Sequence, residues 1–549
     1  MKARLNEALK ALMRYPRFTI SLESFILILA IYFSLLLNQS LWGSLIASQS
    51  ADAMTVSLFM IAMVIGVTAL QFGVLSLLIY RWIAIPTAIA ILLSAVSADF
   101  FAKKYGVFFD MSMVRNIVST NSAEAGELFT LSLLVHFLIY GVPGVLLLSI
   151  FRIKPRSLIK GLAFKLAMIA LSLVVTVVSF VSVFKNFSAT MRNNTEIRHL
   201  VLPMSYLIST PRVLFESGVE AQEELVPIGL DAARQAKSGV KPTLLVLVVG
   251  ETVRAANWGL SGYARQTTPN LAKQNLINFP YVESCGTNTE VSVPCMFSPW
   301  GRKNYDEKKI RSSESLLHVI ARTGVSVTWI DNQSGCKGVC KGLNDIEAKN
   351  LGTPDICPAT GCYDETLLRG LTAAIKKEQG NQVVVLHQLG NHGPAYYARY
   401  PKEFEKFKPV CASSDLGRCT QQEIFNAYDN AILYTDYILS KAIDLLKAEN
   451  NRNVVFIYLS DHGESLGEGG FYLHGLPYAI APKDQTRAPM LMWFSDQFIK
   501  ENKYSKECLM HRAKEPAHHD NLFHTVLGLM NIQTSLYDVN WDLGAKCHH

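Results

Sequence analysis

The first 284 residues of the chain contain no cysteine, which excludes disulfides from that part. All ten cysteines follow, in five successive pairs: Cys285/Cys295, Cys336/Cys340, Cys357/Cys362, Cys411/Cys419 and Cys508/Cys547. An even number in mostly close pairs predicts disulfides formed in an oxidising compartment. The last pair is assigned by elimination. Zinc ligation by Cys336 and Cys340 is the weaker interpretation, because no second cysteine–histidine pair lies at zinc-finger spacing.

Charged residues are also scarce, at 18% of the 549 residues, whereas 50% are hydrophobic. That balance argues against a wholly soluble protein and predicts a membrane portion. The net charge of +7 does not indicate nucleic-acid binding, because the basic residues cluster beside apolar runs instead of forming a stripe. The length predicts two or three domains, and the chain has no repeat and no low-complexity tract.

The long apolar runs of the first 190 residues have almost no polar face, which argues against buried helices of a soluble core. Five apolar runs there are long enough to cross a bilayer, which takes about 20 residues. They cover approximately residues 22–41, 54–80, 83–101, 128–151 and 162–184.

Basic residues around these runs predict their orientation. Five precede the first run, at positions 2, 4, 10, 14 and 17, and four connect the fourth run to the fifth, at positions 152, 154, 156 and 160. By the positive-inside rule both segments are cytoplasmic, together with Arg81 between the second and third runs. Five spans then place everything after Phe184 outside, in agreement with the cysteines. Four further spans after the first argue against a cleavable signal peptide.

Three segments are expected: a five-helix transmembrane domain over 1–184, bridging helices and a linker over 185–240, and an α/β domain over 241–549. In the third segment, short apolar runs predict buried parallel strands: TLLVLVVG, VSVTWI, QVVVLHQLG and NVVFIYLS. Between the last two, helical spacing relates Ala427, Ala431, Tyr434, Ile438, Ala442 and Leu445. Alternating strands and helices predict an α/β/α sandwich.

Polar residues follow three of the predicted strands. Glu251 follows the first, His392 comes shortly after the third, and Asp461 and His462 follow the fourth. Ligands collect at the carboxyl ends of strands in open α/β sheets. Carboxylate and imidazole ligands suit Zn²⁺, or less well Mn²⁺ or Mg²⁺. Each residue also has a structural interpretation, with Glu251 and Asp461 as helix caps and His462 or His474 as loop histidines.

The segment ESCGTNTEVSVPC, residues 283–295, is rich in hydroxyls: Ser284, Thr287, Thr289 and Ser292. Each is either an ordinary polar group of a turn or a nucleophile on a loop closed by two cysteines. Residue type and spacing leave that choice open. His387, inside its predicted strand, is interpreted as structural.

Five motifs combine these features: VVGETVRAANWGLSGYARQTTP, SCGTNTEVSVPCMFS, DNQSGCKGVC, GNHGPAYYARYP and YLSDHGESLGEGGFYLHGLPYAIAP. Together they resemble the lipid A phosphoethanolamine transferases, a family that includes intrinsic enzymes of Gram-negative bacteria and the mobile colistin-resistance enzymes. The resemblance covers the whole architecture of five spans and a periplasmic domain. It implies an alkaline-phosphatase-like, sulfatase-like α/β/α fold for the periplasmic catalytic domain.

The resemblance also implies roles for individual residues. Thr289, the second threonine of the SCGTNT motif, is the expected nucleophile, and it is expected to bind one Zn²⁺ together with Glu251, Asp461 and His462. Two histidines are expected to contact the phosphoryl group or a second Zn²⁺: His392 and His474. Four further residues are expected to hold the phosphoethanolamine substrate: Ser334, Lys337, Asn116 and Glu124.

The implied reaction transfers phosphoethanolamine from phosphatidylethanolamine to lipid A phosphates through a covalent intermediate on Thr289. It lowers the negative charge of the outer membrane and gives resistance to polymyxin and other cationic peptides. Other acceptors stay open: core-oligosaccharide heptose, a periplasmic glucan, or water in a phosphodiesterase of the same fold. A membrane sensor without catalysis is a further alternative. The implied protein is a monomer of the bacterial inner membrane with its catalytic domain in the periplasm.

The chain departs from the commonest family pattern beside the nucleophile, where Asn288 and Glu290 replace small or neutral residues. A carboxylate at position 290 either raises the proton affinity of Thr289 or points to solvent. We expect it to point to solvent.

Overall fold

The computed structural model describes residues 18–49, 52–120, 122–222, 224–235, 239–358 and 361–548. The chain divides into two compact units. The membrane unit comprises Met1–Val114 and Phe129–Leu214, and the sheet unit comprises Arg115–Leu128 and Phe215–His549. The division into three segments at residues 184 and 240 stays a prediction.

Helices dominate the membrane unit. They are Leu22–Leu36, Gln39–Ala47, Ala53–Leu78, Ala84–Tyr105, Leu131–His136, Val142–Ser149, Leu158–Ser182 and Phe184–Asn193, with a π-helical turn at Phe137–Gly141 and a 3₁₀ turn at Thr195–Leu200. Two short strands, Phe18–Ile20 and Phe151–Ile153, pair in parallel. Met111–Ser119 and Met204–Gln222 are also helical.

Among the described residues, four helical stretches are long and apolar enough to cross a membrane: Ala53–Leu78, Ala84–Tyr105, Leu131–Ser149 and Leu158–Ser182. They correspond to the second to fifth predicted spans. The first predicted span is instead a pair of helices bent by 53°. The number of spans is therefore four, or five if the bent pair crosses as one. At the bend the buried amide of Asn38 donates to Phe33 O at 2.9 Å and to Leu202 O at 2.8 Å, which satisfies carbonyls at the helix end.

Gln71, on the helix Ala53–Leu78, is a polar side chain buried inside the membrane unit. It is fully buried, donates to Leu202 O at 2.8 Å and accepts from Ser34 at 3.0 Å, so its polar groups are satisfied away from hydrocarbon. On the same helix, Leu58 and Ile61 are more than half exposed. The helix therefore buries its glutamine and exposes aliphatic side chains.

A seven-stranded sheet forms the centre of the sheet unit. In chain order its strands are β1 Thr243–Gly250, β2 Ile277–Glu283, β3 Ser326–Asp331, β4 Asn344–Glu347, β5 Gln382–His387, β6 Asn453–Ser460 and β7 Arg487–Phe494. The order across the sheet is β2-β7-β6-β1-β5-β3-β4. All neighbours are parallel except those of β7, which is antiparallel to β2 and β6. Short antiparallel pairs outside this sheet join Ser465–Leu466 to Tyr472–Leu473, and Ala233–Arg234 to Ile532–Gln533.

The four strands predicted from the sequence, β1, β3, β5 and β6, are confirmed. The sequence did not indicate the other three. Pro280 in β2 and Pro489 in β7 count against strands, because proline lacks the backbone N–H that a ladder uses. Strand β4 is polar and lies at the edge of the sheet.

Successive residues of β1 point to opposite faces of the sheet, so that Leu245 and Val249 enter one core and Leu244 and Val248 the other. Helices cover both faces, which makes an α/β/α sandwich. The helices of the sheet unit are Ser122–Glu127, Thr289–Met296, Glu307–Ser312, Leu316–Arg322, Glu365–Lys377, Gln421–Lys447, Lys483–Thr486, Asp496–Asn502, Lys506–Arg512 and Asn521–Leu529. The predicted helix before β6 is confirmed, although Leu445 is 40% exposed and lies outside the core.

The structure contains all five predicted disulfides, with Cα–Cα separations between 3.9 and 6.0 Å. They are Cys285–Cys295, Cys336–Cys340, Cys357–Cys362, Cys411–Cys419 and Cys508–Cys547. The first closes the loop that precedes the helix Thr289–Met296, and the second closes the loop that follows β3. The last fastens the end of the chain to the helix Lys506–Arg512.

The disulfide Cys357–Cys362 lies between β4 and the helix Glu365–Lys377, and residues 359 and 360 between its two cysteines lie outside the described residues. Cys362 O accepts from Asn332 Nδ2 at 3.0 Å. Because Asn332 directly follows β3, this bond fastens the disulfide segment to the end of that strand. The sequence predicted Cys362 only as the disulfide partner of Cys357, and the structure confirms that pairing.

Candidate active site

The carboxyl ends of β1 and β6 meet at one edge of the sheet. Gly250, the last residue of β1, pairs with Ser460, the last residue of β6. Glu251 and Asp461 follow directly, and both are fully buried. Thr252 joins them, because its backbone N–H donates to Asp461 Oδ1 at 3.1 Å. Its φ of 61° lies in the left-handed region, which turns the chain sharply after the strand.

Glu251 is the centre of the resulting cluster. Its Oε2 accepts from Thr289 Oγ1 at 2.9 Å and from Gln333 Nε2 at 2.9 Å. Its Oε1 accepts from the Thr252 hydroxyl and lies 3.4 Å from His462 Nε2. These contacts fix the carboxylate in position, and none of them is a helix cap.

The cluster presents atoms that suit a cation. Three possible metal-ligand atoms, one each from Glu251, His462 and His474, lie within 4.8 Å of one another. In the part of the chain that the structure describes, Asp461 Oδ2 and His392 Nδ1 are buried without a hydrogen-bond partner. Leaving such atoms unpaired is costly unless an ion binds them. Carboxylate and imidazole together form a donor set that fits Zn²⁺.

Burial and neighbouring charge shift the pKa values of these groups. Burial and the charge of Glu251 raise the pKa of Asp461 to about 6. Burial alone would raise the pKa of Glu251, but the contact with His462 holds that pKa well below its ordinary value. Burial alone would lower the pKa of His462, but Asp461 and Glu251 raise it to about 10. The cluster therefore attracts positive charge, as a metal site does.

His392 and His474 lie beside His462. The ring centroids of His392 and His474 are 5.7 Å apart, and those of His474 and His462 are 4.5 Å apart. Glu464 accepts from His474 Nδ1 at 2.7 Å, which leaves Nε2 for a ligand. Burial lowers the pKa of His392 to about 3, so its ring is neutral and can coordinate or accept. The sequence did not indicate the orienting role of Glu464, although it lies in the SDHGES motif.

The structure distinguishes the four hydroxyls of residues 283–295. Three donate to backbone carbonyls: Ser284 to Gly286, Thr287 to Leu476 and Ser292 to Asp461. Thr289 instead donates to the carboxylate of Glu251 and lies 3.5 Å from His462 Nε2. It also begins the helix Thr289–Met296, whose first backbone N–H groups favour an anion at this end. Thr289 is the hydroxyl of the four whose surroundings suit a nucleophile.

His519 holds the loop before Thr289 against the sheet, and the sequence did not indicate this residue. Its Nε2 donates to Ser460 O at 3.0 Å, and its Nδ1 accepts from the backbone N–H of Cys285 at 3.1 Å. Burial lowers the pKa of His519 to about 3, so the neutral ring makes one bond as donor and one as acceptor. It therefore ties the nucleophile loop to the end of β6.

The loop closed by the disulfide Cys336–Cys340 brings Lys337 to Ser334 and Glu290. Lys337 Nζ donates to Ser334 Oγ at 2.6 Å and lies 3.1 Å from Glu290 Oε1. Arg311 Nη2 lies 3.1 Å from Glu290 Oε2. The expectation that Glu290 points to solvent is wrong, because these two cations draw it inward and it is only 3% exposed. Burial alone would raise its pKa, but Lys337 and Arg311 hold that pKa below its ordinary value.

Glu124 and Asn116 lie in short helices, Ser122–Glu127 and Met111–Ser119. Burial raises the pKa of Glu124 to about 6, and the charges of Lys337 and Glu251 also act on it. The neighbouring Glu127 pairs with Arg399, whose Nε donates to His392 O. Glu124 therefore interacts electrostatically with Glu251 of the cluster. The Asn116 carbonyl accepts from Thr120 at 2.8 Å, and a contact of Asn116 with substrate stays a prediction.

Comparison with known proteins assigns both parts of the chain. Residues 67–217 match the family described as phosphoethanolamine transferase EptA/EptB, and residues 243–532 match the family described as sulfatase. The phosphoethanolamine transferase EptA of Escherichia coli strain K12 is 38% identical over 98% of this chain and 99% of its own length. The chain belongs to the phosphoethanolamine transferases. Phosphatidylethanolamine transferase Mcr-1 of Escherichia coli is 36% identical over 76% of this chain and 80% of its own length.

A solved structure agrees over nearly the whole chain. The integral membrane protein lipooligosaccharide phosphoethanolamine transferase A of Neisseria meningitidis covers 97% of this chain and 100% of its own, with a TM-score of 0.90 and 34% identity. Its soluble domain, solved separately, is 43% identical over 60% of this chain and 99% of its own, with a TM-score of 0.58. The predicted fold class is confirmed: apolar membrane helices followed by an alkaline-phosphatase-like, sulfatase-like domain.

Proposed function

We propose that this enzyme transfers phosphoethanolamine from phosphatidylethanolamine to phosphate groups of lipid A, with Thr289 as its nucleophile. The 2.9 Å contact of Thr289 Oγ1 with Glu251 Oε2, inside a buried cluster of metal-ligand type, carries the proposal. The names of two relatives supply the substrate classes. They are phosphatidylethanolamine transferase Mcr-1 and the Kdo(2)-lipid A phosphoethanolamine 7''-transferase of Escherichia coli strain K12.

Four residues would hold a catalytic Zn²⁺: Glu251, Thr289, Asp461 and His462. Asp461 Oδ2, which is buried without a hydrogen bond and lies 3.5 Å from His462 Nε2, supports this assignment. His392 Nδ1, also buried without a hydrogen bond, supports a second ion or a phosphoryl oxygen beside His392 and His474. When bound, zinc lowers the pKa of an oxygen ligand, as it lowers that of bound water to about 7.

The transfer proceeds in two displacements at phosphorus. The Thr289 oxygen loses its proton and attacks the phosphorus of the phosphodiester, and the bond from phosphorus to the diacylglycerol oxygen breaks. That oxygen takes up one proton, so diacylglycerol leaves as an alcohol. An oxygen of a lipid A phosphate then attacks the phosphorus of the phosphoethanolamine group on Thr289, the bond from phosphorus to Thr289 Oγ1 breaks, and Thr289 recovers its proton. Lys337, Ser334 and the first backbone N–H groups of the helix Thr289–Met296 stabilise the phosphoryl charge.

The membrane unit suits substrates that stay in a bilayer. We propose the inner membrane as its location, with residues 1–184 spanning it, residues 185–240 as a bridge and residues 241–549 as a periplasmic catalytic domain in a monomer. Each added ethanolamine places an ammonium group on lipid A. The lower negative charge weakens the attraction of polymyxin and other cationic peptides.

Mass spectrometry of lipid A tests the proposal. Cells that express the wild-type chain should contain lipid A with added phosphoethanolamine, and cells that express Thr289→Ala should contain none. Thr287→Ala is the matched control, because that hydroxyl donates to a backbone carbonyl and should not be required for chemistry. Fragmentation of the product identifies the acceptor position. Modification confined to core heptose would refute the lipid A acceptor.

A further inference from the structure

A cavity of about 300 Å³ in the membrane unit is unrelated to the catalytic cluster. Its walls come from three places in the chain: the start of the helix Leu22–Leu36, the turn around Arg81, and residues 154–165 at the start of the helix Leu158–Ser182. All residues that line it belong to the membrane unit. Nothing in the transfer reaction uses it.

The lining of this cavity is strongly positive. It contains one carboxylate, Glu23, and four basic side chains, Arg81, Lys154, Arg156 and Lys165, so its formal charge is +3. Arg156 Nη1 lies 3.0 Å from Glu23 Oε1. Within the described part of the chain, no carboxylate forms an ion pair with Arg81, Lys154 or Lys165.

Neutral groups hold two of these cations in place. Arg81 Nη1 donates to Arg156 O at 2.7 Å, and its guanidinium lies 5.3 Å from the centre of the Trp82 ring. Lys165 Nζ lies 3.8 Å from the centre of the Tyr80 ring and donates to a backbone carbonyl at 3.3 Å. Rings and carbonyls orient the cations without neutralising their charge. The cavity is therefore preorganised for an anion.

The remaining wall of the cavity is apolar and open to the surroundings. Leu158, Ile159 and Leu162 are exposed by 71%, 84% and 59%. Tyr80 and Trp82 are also more than half exposed, as aromatic residues at a membrane interface commonly are. This lining suits a ligand that has an anionic head group for the basic side chains and hydrocarbon chains for the apolar ones.

We propose that this cavity binds the phosphate of an anionic glycerophospholipid, such as phosphatidylglycerol. Basic pockets between membrane helices on the cytoplasmic side are suited to anionic head groups, and the basic loops here predict that side. Phosphatidylethanolamine fits poorly, because its ammonium would add positive charge to a lining of +3. The site is thus distinct from that of the phosphatidylethanolamine donor, and the proposal does not depend on the transfer reaction.

Native mass spectrometry of the full-length protein tests this site. The purified protein is mixed in detergent with phosphatidylglycerol or with phosphatidylethanolamine of the same acyl chains. Wild-type protein should retain phosphatidylglycerol in preference. Removing one cation, by Arg81→Gln, Lys154→Gln or Lys165→Gln, should weaken that binding about five-fold each, on the scale of one basic residue at a lipid surface.

Lys160→Gln is the matched control, because Lys160 lies on the same basic segment and does not line the cavity. It should leave binding of phosphatidylglycerol unchanged. Lys154 is an exposed residue outside the helices, so Lys154→Gln should reduce binding at an unchanged Tm. Equal retention of the two lipids, or an equal loss with Lys160→Gln, would overturn the proposal, because either result means diffuse surface charge without a defined site.

Discussion

Glu290, the residue directly after the proposed nucleophile Thr289, has its Oε1 3.1 Å from Lys337 Nζ. Its other oxygen lies 3.1 Å from Arg311, so one carboxylate holds two cations in a buried position. Lys337 is thereby held at the place where the phosphoryl group is proposed to bind. We infer that Glu290 positions Lys337 for that group.

Glu290→Gln should destabilise the protein substantially. It leaves Lys337 without its carboxylate and Arg311 with Glu307 alone, although the side chains of Lys337 and Arg311 are only 5% and 10% exposed. Breaking a buried ion pair by removing one partner typically costs about 3–5 kcal/mol. Thermal unfolding of the full-length protein in detergent measures the change.

Glu347→Gln is the control for that variant. Glu347 Oε2 lies 2.7 Å from Lys349 Nζ, but both side chains are more than half exposed, so the loss of this carboxylate should cost less than about 1 kcal/mol. Equal changes in Tm for the two variants would contradict the positioning role of Glu290.

Zn²⁺ should stabilise the protein through the cluster around Glu251. An ion that binds the folded state alone raises Tm by mass action. After treatment with a chelator, added Zn²⁺ should raise the Tm of wild-type protein, and Glu251→Gln or Asp461→Asn should remove most of that rise. Glu283→Gln alters a carboxylate that is paired with Arg487 and 29% exposed, and this variant should keep the full response. An undiminished response in Asp461→Asn would exclude it as a ligand.

His519 should make stability depend on pH. Its folded pKa of about 3 lies below the unfolded value of about 6.5, so the unfolded state binds more protons between these values. The neutral ring makes its full contribution to the free energy of unfolding above about pH 6.5. That contribution falls by up to about 1.4 kcal/mol per pH unit as the pH decreases. Unfolding by denaturant should show wild-type protein more stable than His519→Gln at neutral pH, with a smaller difference at pH 5. A difference that does not change with pH would be the contrary result.

The disulfide Cys285–Cys295 should matter for catalysis beyond its effect on stability. Replacing both cysteines by serine should lower stability by about 2–4 kcal/mol. The pair Cys411–Cys419 closes a loop of similar length, with a sequence separation of 8 against 10, and is the matched control. Both double variants should show similar decreases in Tm. Only the variant without Cys285–Cys295 should lose most of its transfer activity, because that change frees the loop that carries Thr289. Equal activity in both would contradict this.

The sequence predicted the parts of the site that follow from local pattern. Glu251, Asp461 and His462 each follow a buried strand, and parallel strands bring such residues to one edge. The choice of Thr289 over Thr287 came from the family resemblance. The structure adds a physical reason, since Thr287 donates to a backbone carbonyl and Thr289 to Glu251.

The residues that the sequence did not predict have distant partners. Glu290 is buried because of Arg311, 21 residues further along, and His519 binds Cys285 across 234 residues. The first predicted span bends where Asn38 binds Leu202, 164 residues away. Residue type and spacing carry no information about such pairs, because only the complete fold brings them together.

The most direct test of the central claim is the covalent intermediate on Thr289. Purified protein is mixed with phosphatidylethanolamine in the absence of an acceptor, and its peptides are analysed by mass spectrometry. The proposed mechanism predicts one phosphoethanolamine group, attached to Thr289, together with released diacylglycerol, and neither product from Thr289→Ala. Phosphoethanolamine attached to another residue, or diacylglycerol released at an unchanged rate by Thr289→Ala, would contradict it.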